Sequence, residues 1–523
     1  MYEKVFCILI IIIMLAKTFG SVVIGIEAFK VELELDVSPG LPGFNVVGLA
    51  ESAVRESRER VKAAIKNCGY PFPTQKITAN LAPADIKKEG TGLDLPMALA
   101  ILVVSGVIPQ EKLSGYLFCG ELSLDGSVRS ARGVLPIAIA AQRWGFGHLV
   151  VPESNGAEAS VVDGIEILPT SHLSQIVSHL RGECKIARLK TDLKELFDAG
   201  GNLDGDFSDV SGQESAKRAL EVAAAGGHNV LMTGPPGSGK TMLARRLPSI
   251  LPPMTFDEAI ETTVIYSVAG LLNSDAPLIV RRPFCSPHHT ISDAGIIGGG
   301  TYPRPGQVSL AHNGVLFLDE MPEFKRNVLE SLRQPLEDGF VTISRAAITL
   351  RFPSRFTLVA AQNPCPCGYF GHEHKVCTCS PSQIHRYRAK VSGPLMDRID
   401  IHLDVPAVPY DELSSARRGE PSETIKARVI AARKIQQRRF KDMPLFSNSQ
   451  MSVKEISRFC VIDEKCSNFL ENVCKKLKLS ARAYHRILKI ARTIADLDNK
   501  DEIETAHVAE AVQYRGLDRE GPF

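Results

Sequence analysis

Gly234, Pro235, Pro236, Gly237, Ser238, Gly239, Lys240 and Thr241 are preceded by the short apolar run Val230-Leu231-Met232. Glycines at these spacings let backbone N–H groups turn inward and cradle phosphate oxygens. The lysine can then reach the β/γ-phosphates, and the threonine hydroxyl can sit on Mg²⁺. A second acidic element supports the reading. Val315-Leu316-Phe317-Leu318 is an apolar strand that ends in Asp319-Glu320. Asp319 is placed to hold the Mg²⁺ shell and Glu320 to orient or deprotonate an attacking water. Together these residues imply hydrolysis of a nucleoside triphosphate, with ATP and Mg²⁺ as the cofactors.

Two further groups could do chemistry. Phe356 to Ala361 reads as a strand ending Gln362-Asn363-Pro364, which puts the polar side chain of Asn363 where it could orient the hydrolytic water. Cys365, Cys367, Cys377 and Cys379 then form two C-x-C pairs flanking His372 and His374. Four thiolates satisfy a tetrahedral Zn²⁺, and the histidines could replace one or two of them. The expectation is a structural zinc knuckle bracing the loop after Asn363.

These residues need a scaffold. At 523 residues the chain is long enough for about three domains. Its 44% hydrophobic and 23% charged content is that of a globular protein. The net charge of +2 conceals a local excess between Lys426 and Arg492, with 17 Lys/Arg against 5 Asp/Glu, which suits a polyanion. The 12 cysteines form no disulfide framework, so a reducing cytoplasm is the expected compartment. The apolar run Val5 to Ala16 follows a charged start like that of a signal peptide, but is too short to span a membrane. Met14 is the expected physiological start, with residues 1–13 a translation-start artefact.

Alternation of strand, phosphate loop, helix, acidic strand and Asn-terminated strand predicts a doubly wound parallel sheet with its ligand at the strands' carboxyl ends. Before it, Val31, Leu33, Leu35 and Val37 alternate as a strand, and Glu51 to Cys68 reads as an amphipathic helix. Leu95 to Val104 reads as a buried helix, making the N-terminal region mixed α/β. After the sheet, Glu423 to Phe440, Val453 to Cys460, Lys465 to Leu477, Ala481 to Leu497 and Thr505 to Tyr514 read as helices. Pro283 to Gly300, with His288-His289, reads as a flexible loop, and Val341 to Phe352 as a hairpin carrying Arg345 and Arg351.

Lys88 to Asp94 and Gly120 to Gly126 resemble the proteolytic domain of the Lon family, whose enzymes use a Ser–Lys dyad. Gly92 stands at the serine position and Leu135 at the lysine position, so the resemblance implies that fold without the peptidase activity. The central region resembles an AAA+ ATPase with a hairpin before its first sensor. Gly306 to Gly314 leading into Val315 to Glu320 is similar to the magnesium-chelatase-like branch, and specifically to the bacterial YifB/ComM family. The resemblance runs over nearly the whole chain from Met14, including the Lon-like region that chelatase ATPase subunits lack.

The resemblance implies a Lon-like α/β domain over residues 14–180, a linker over 181–207, an AAA+ core over 208–405 and a helical lid over 406–523. Ser392 to Asp400 matches the segment that supplies an arginine finger to the neighbouring subunit, which puts Arg398 in that role and requires a homo-oligomer; similar proteins form hexamers. Leu479-Ser480-Ala481-Arg482 matches the second sensor, with Arg482 the first choice and Arg486 the second. The implied function is a branch-migration helicase in recombination and natural transformation. Its partner is branched or single-stranded DNA read with low sequence specificity, Arg345 and Arg351 are candidate contacts, and no membrane is involved. A chelatase-type ATPase subunit and a nucleotide-gated scaffold are the alternatives.

Overall fold

The computed structural model describes residues 15–49, 52–88, 90–199, 205–273, 276–300, 303–345, 348–372, 375–408, 419–477 and 479–516. The start expected at Met14 and the ligand considered at His374 lie outside them. The chain divides into two compact units, 1–198 with 260–279, and 199–259 with 280–523.

In the first unit a four-stranded sheet runs in the order Leu15–Ile24, Glu27–Ser38, Lys76–Ala82, Gly43–Val47. The first three strands are antiparallel and the last joins in parallel. Val31, Leu33, Leu35 and Val37 all point into the core, as a period of two demands. The helix Asp94–Val104 is buried along nearly its whole length, which explains its apolar sequence without amphipathic periodicity. Asp94 itself is anchored by Arg60, whose Nε lies 2.9 Å from Oδ2. A separate parallel sheet holds Tyr116–Phe118, His148–Pro152 and Glu166–Thr170. Segment 260–279 belongs to this unit: Gly133 N–H donates to the Ser267 carbonyl at 3.2 Å, and Ser267 Oγ bonds the buried carboxylate of Glu158.

The Lon-like positions are chemically empty. Gly92 has no side chain and Leu135 is fully buried. A side chain at Gly92 would face Cys119 Sγ at 3.7 Å, and burial, reinforced by Glu158, pushes that thiol up to about 12. It stays protonated and unreactive.

The second unit contains five parallel strands in the order Phe284–Cys285, Val315–Leu318, Thr357–Gln362, Val230–Thr233, Ile401–Asp404. The phosphate-loop strand Val230–Thr233 therefore lies between the last two strands of the sequence, and Thr357–Gln362 separates it from the Asp-Glu strand. Such a crossing of chain order opens a crevice at the carboxyl ends. The region from Pro283 to Gly300, expected as a loop, contributes the edge strand Phe284–Cys285 and a helix at Asp293–Ile297. Both are too short to leave a periodic signature. The helices Ser422–Arg439, Val453–Phe459, Glu464–Leu477, Ala481–Leu497 and Thr505–Gln513 follow. Ile487, Ile490 and Ile494 share one continuous core with Val230, Met232 and Phe317. The architecture is thus a Lon-protease-like α/β domain, a parallel-sheet AAA+ P-loop domain and a C-terminal helical lid.

Candidate nucleotide-binding site

The phosphate loop follows Val230–Thr233, and a helix opens at Lys240. Gly234 passes so close to the next strand that a Cβ there would lie 2.1 Å from the Val405 carbonyl, so only glycine fits. Gly237 and Gly239 adopt left-handed conformations, φ 80° and 89°, and nothing lies within 4 Å of a Cβ added to either. The loop is therefore open beside these glycines, where phosphate oxygens can approach its backbone N–H groups.

Lys240 Nζ donates to the carbonyls of Gly234 at 2.7 Å and Pro235 at 2.8 Å, with Asn363 Oδ1 3.4 Å away. Burial lowers its pKa, opposed by the carboxylates of Asp319 and Glu320. Thr241 Oγ1 donates to Asp319 Oδ2 at 2.8 Å. These two oxygens converge as ligands of one hard cation must, so the residues present fit a Mg²⁺ bound with ATP. Glu320 follows Asp319 with φ 50° and ψ 48°, a left-handed conformation rare for a residue with a side chain. Its carboxylate is half-exposed, and His289 Nδ1 stands 4.0 Å from it. His289 packs against His288, with ring centroids 4.1 Å apart and the rings tilted by 33°. Only the structure reveals that neighbour, because the two residues are 31 apart in sequence and share no motif.

The arginines expected from sequence are placed differently from one another. Arg398 bonds Glu337 and the Pro394 carbonyl, with its side chain only 11% exposed. Nothing in the local sequence pointed to Glu337. Arg482 Nη1 lies 3.4 Å from Asp397 Oδ2, and this side chain is 67% exposed. Arg486 instead turns inward to Asp400 at 3.2 Å. Burial works against the charge on Asp400, but the His228 bond and the Arg486 and Lys489 cations hold it down to about 2.

Much of the basic excess after Lys426 is spent inside the unit. Arg428 pairs with Glu221 and Glu420, Arg439 and Arg492 with Asp496, and Arg433 bonds the Phe446 and Ala224 carbonyls. The hairpin is present as Phe340–Arg345 and Ile348–Pro353. Its register opposes Thr342 to Arg351 and Arg345 to Ile348, which puts the two arginines on opposite faces. Arg345 shares the face of buried Val341 and Ile343, whereas Arg351 lies on the outer face with its guanidinium 3.7 Å from the Phe340 ring centroid.

The cysteine pairs come together. Sγ of Cys365 lies 3.3 Å from Cys367 and 3.7 Å from Cys377, and Cys367 lies 3.6 Å from Cys377. With Cys379 included, all four ligand atoms fall within 4.8 Å of one another. His372 Nδ1 accepts the Lys375 N–H at 3.2 Å. No helix among the described residues is long and apolar enough to cross a membrane.

Three family models match the chain: magnesium chelatase, subunit ChlI, over residues 206–413; subunit ChlI of Mg-chelatase over 33–155; and the ChlI C-terminal region over 419–515. The uncharacterized protein YifB of Salmonella typhimurium is 44% identical over 509 residues, 97% of this chain and 98% of that protein. The competence protein ComM of Haemophilus influenzae is likewise 44% identical over 509 residues, with the same coverage of both chains. Lon protease 2 of Bacillus subtilis is 32% identical over 153 residues, 27% of this chain and 26% of that one. With its phosphate loop, acidic strand and near-complete relatives, this chain belongs to the YifB/ComM family of magnesium-chelatase-like AAA+ ATPases.

Proposed function

We propose that the protein is a ring-forming, Mg²⁺-dependent ATPase that moves DNA, acting as a branch-migration helicase in recombination and natural transformation. The observation that carries this reading is the 44% identity, over 97% of the chain, to a protein named for competence. In the site, Lys240 exchanges its carbonyl partners for phosphoryl oxygens, and the backbone N–H groups of Gly237 to Thr241 line the cradle. Thr241 and Asp319 hold Mg²⁺, which when bound offsets the charge that builds on the transferring phosphoryl group. Asn363 orients the attacking water and Glu320 accepts its proton. Arg398 of one protomer completes the site of the next, and Arg482 reaches the same phosphate from the lid. A finger supplied in trans makes a closed homo-oligomer, a hexamer in this proposal, a requirement of turnover. Arg345 and Arg351 contact the DNA from opposite faces of the hairpin, and the DNA is branched or single-stranded and read without sequence preference.

The test is ATP turnover with and without forked or three-stranded DNA, for the native chain and for Glu320→Gln. Turnover is expected to rise with DNA, and the variant to bind ATP without hydrolysing it. The chelatase description of the matched family models favours one competing reading, a motor for metal insertion into a porphyrin. Turnover unaffected by every DNA form would decide for that reading or for a nucleotide-gated scaffold.

A further inference from the structure

We propose that Cys365, Cys367, Cys377 and Cys379 hold one tetrahedral zinc ion, and that the loop closed by this ion is the wall that positions Pro236 and Asn363. The second half rests on reading the Lys240–Asn363 crevice as the ATP site. The first half stands on the geometry alone.

A zinc ion about 2.3 Å from four sulfurs gives tetrahedron edges of about 3.8 Å. The Sγ separations in the structure are 3.3, 3.6 and 3.7 Å, with all four atoms inside 4.8 Å. That spacing encloses one ion and is too tight for an iron–sulfur cluster. It is also far beyond the ~2.05 Å of a disulfide, and all four thiols are free. Four soft sulfurs with no oxygen ligand select zinc over hard cations, and four protein ligands leave no open position, so the site is structural.

The surrounding backbone is arranged for thiolates. Phe370 N–H donates to Cys365 Sγ at 3.3 Å, and Cys367 N–H donates to Cys379 Sγ at 3.4 Å. Two of the sulfurs thus receive a main-chain donor, which is how the groups around a metal–thiolate centre fix its ligands. Between Asn363 and Ser380 the described residues contain neither helix nor strand. A segment of that length without secondary structure needs a cross-link to keep one shape.

The link to the phosphate loop is steric. Gly368 sits inside the knuckle with φ 84°, and a Cβ there would lie 2.6 Å from Pro236 Cδ and 3.9 Å from Asn363 Cγ. The loop backbone therefore presses on the phosphate loop beside Asn363. From the other side, Arg388 Nε donates to the Pro364 carbonyl at 3.3 Å, with its guanidinium 5.4 Å from the Phe370 ring centroid. Asn363 is thus held between the phosphate loop and the metal-bound segment that begins two residues later.

The experiment uses the purified full chain. Elemental analysis is expected to find about one zinc per chain, and replacement by Co²⁺ to give the visible spectrum of a tetrahedral tetrathiolate. Cys377→Ser with Cys379→Ser is expected to lose both signals. A chain without stoichiometric zinc, or cobalt bound without sulfur-ligand bands, overturns the metal site whatever the ATPase does. Coupling is read by displacing zinc from the native chain with an organomercurial, and separately by Gly368→Ala, which keeps all four thiols. Both are expected to weaken binding of a fluorescent ATP analogue or slow ATP turnover by roughly tenfold, with the variant retaining zinc. Unchanged affinity and turnover in both overturn the coupling and leave the metal result standing. If even the zinc-loaded chain hydrolyses no ATP, the ATPase reading fails and analogue affinity alone decides the coupling.

Discussion

Asn363 Oδ1 lies 3.4 Å from Lys240 Nζ although 123 residues separate the two in sequence. Strand Thr357–Gln362 makes this possible because it runs parallel beside the phosphate-loop strand, with Thr233 in register with Gln362. Each strand then releases its next residues at the same end of the sheet. The amide of Asn363 and the ammonium of Lys240 thus meet without either being near the other along the chain.

Asn363→Ala removes that amide and leaves the cradle intact. Turnover is expected to fall roughly a hundredfold, the scale for losing one preorganised donor, while affinity for ATP changes little. Steady-state rates beside equilibrium nucleotide binding separate the two. A variant that loses affinity and keeps its maximal rate would make Asn363 a binding residue only.

The proposed finger role requires Arg398 to leave Glu337, since that carboxylate holds it within its own chain. The pair is half-exposed on the Glu337 side, so it is worth at most about 1 kcal/mol, which corresponds to a factor of about five. Glu337→Gln is therefore expected to raise turnover by two- to fivefold, and Arg398→Ala to abolish it without blocking ATP binding. Mixing Arg398→Ala with Lys240→Ala chains should restore partial activity, as a shared site requires. Full activity of Arg398→Ala alone would exclude the finger.

Opposite faces of one hairpin make Arg345 and Arg351 independent. Each alanine substitution is expected to lower the slope of log affinity for DNA against log salt by about one, uniformly across sequences. The double variant should show the sum, because the two side chains lie on opposite faces of the hairpin. Affinity measured at several salt concentrations provides the check. An arginine whose loss leaves the slope unchanged lies off the DNA path.

Asp400 carries a pH signature. Burial raises and His228, Arg486 and Lys489 lower its pKa, leaving it at about 2 against an ordinary 3.8. A depressed carboxylate contributes stability that is complete above the unfolded value, and that contribution disappears as pH falls through the folded one. The contribution here is about 2 kcal/mol, present at neutral pH and lost between about pH 4 and pH 2. Asp400→Asn should lower the denaturation midpoint at pH 7 and flatten the decline across that acid window. A native chain with no extra acid slope relative to the variant would refute the assignment.

Local sequence specified the elements whose signals are short-range. The phosphate loop is readable because a strand, a glycine-rich turn and a helix start must be consecutive to cradle phosphate, and the apolar strand before Asp319 is readable for the same reason. Helix Ala481–Leu497 declared itself by its apolar period. Shorter pieces such as Phe284–Cys285 and Asp293–Ile297 did not, since two to five residues cannot display a period. What tertiary structure alone decided is which distant side chains meet. It paired Arg398 with Glu337, turned Arg486 inward and left Arg482 exposed, and spent much of the basic excess on internal ion pairs. It also divided the hairpin arginines between two faces and brought four sulfurs within 4.8 Å of one another. Charge and composition register how many such groups exist. Their partners are set by strand order and packing, which act across hundreds of residues and leave no mark on the neighbouring sequence.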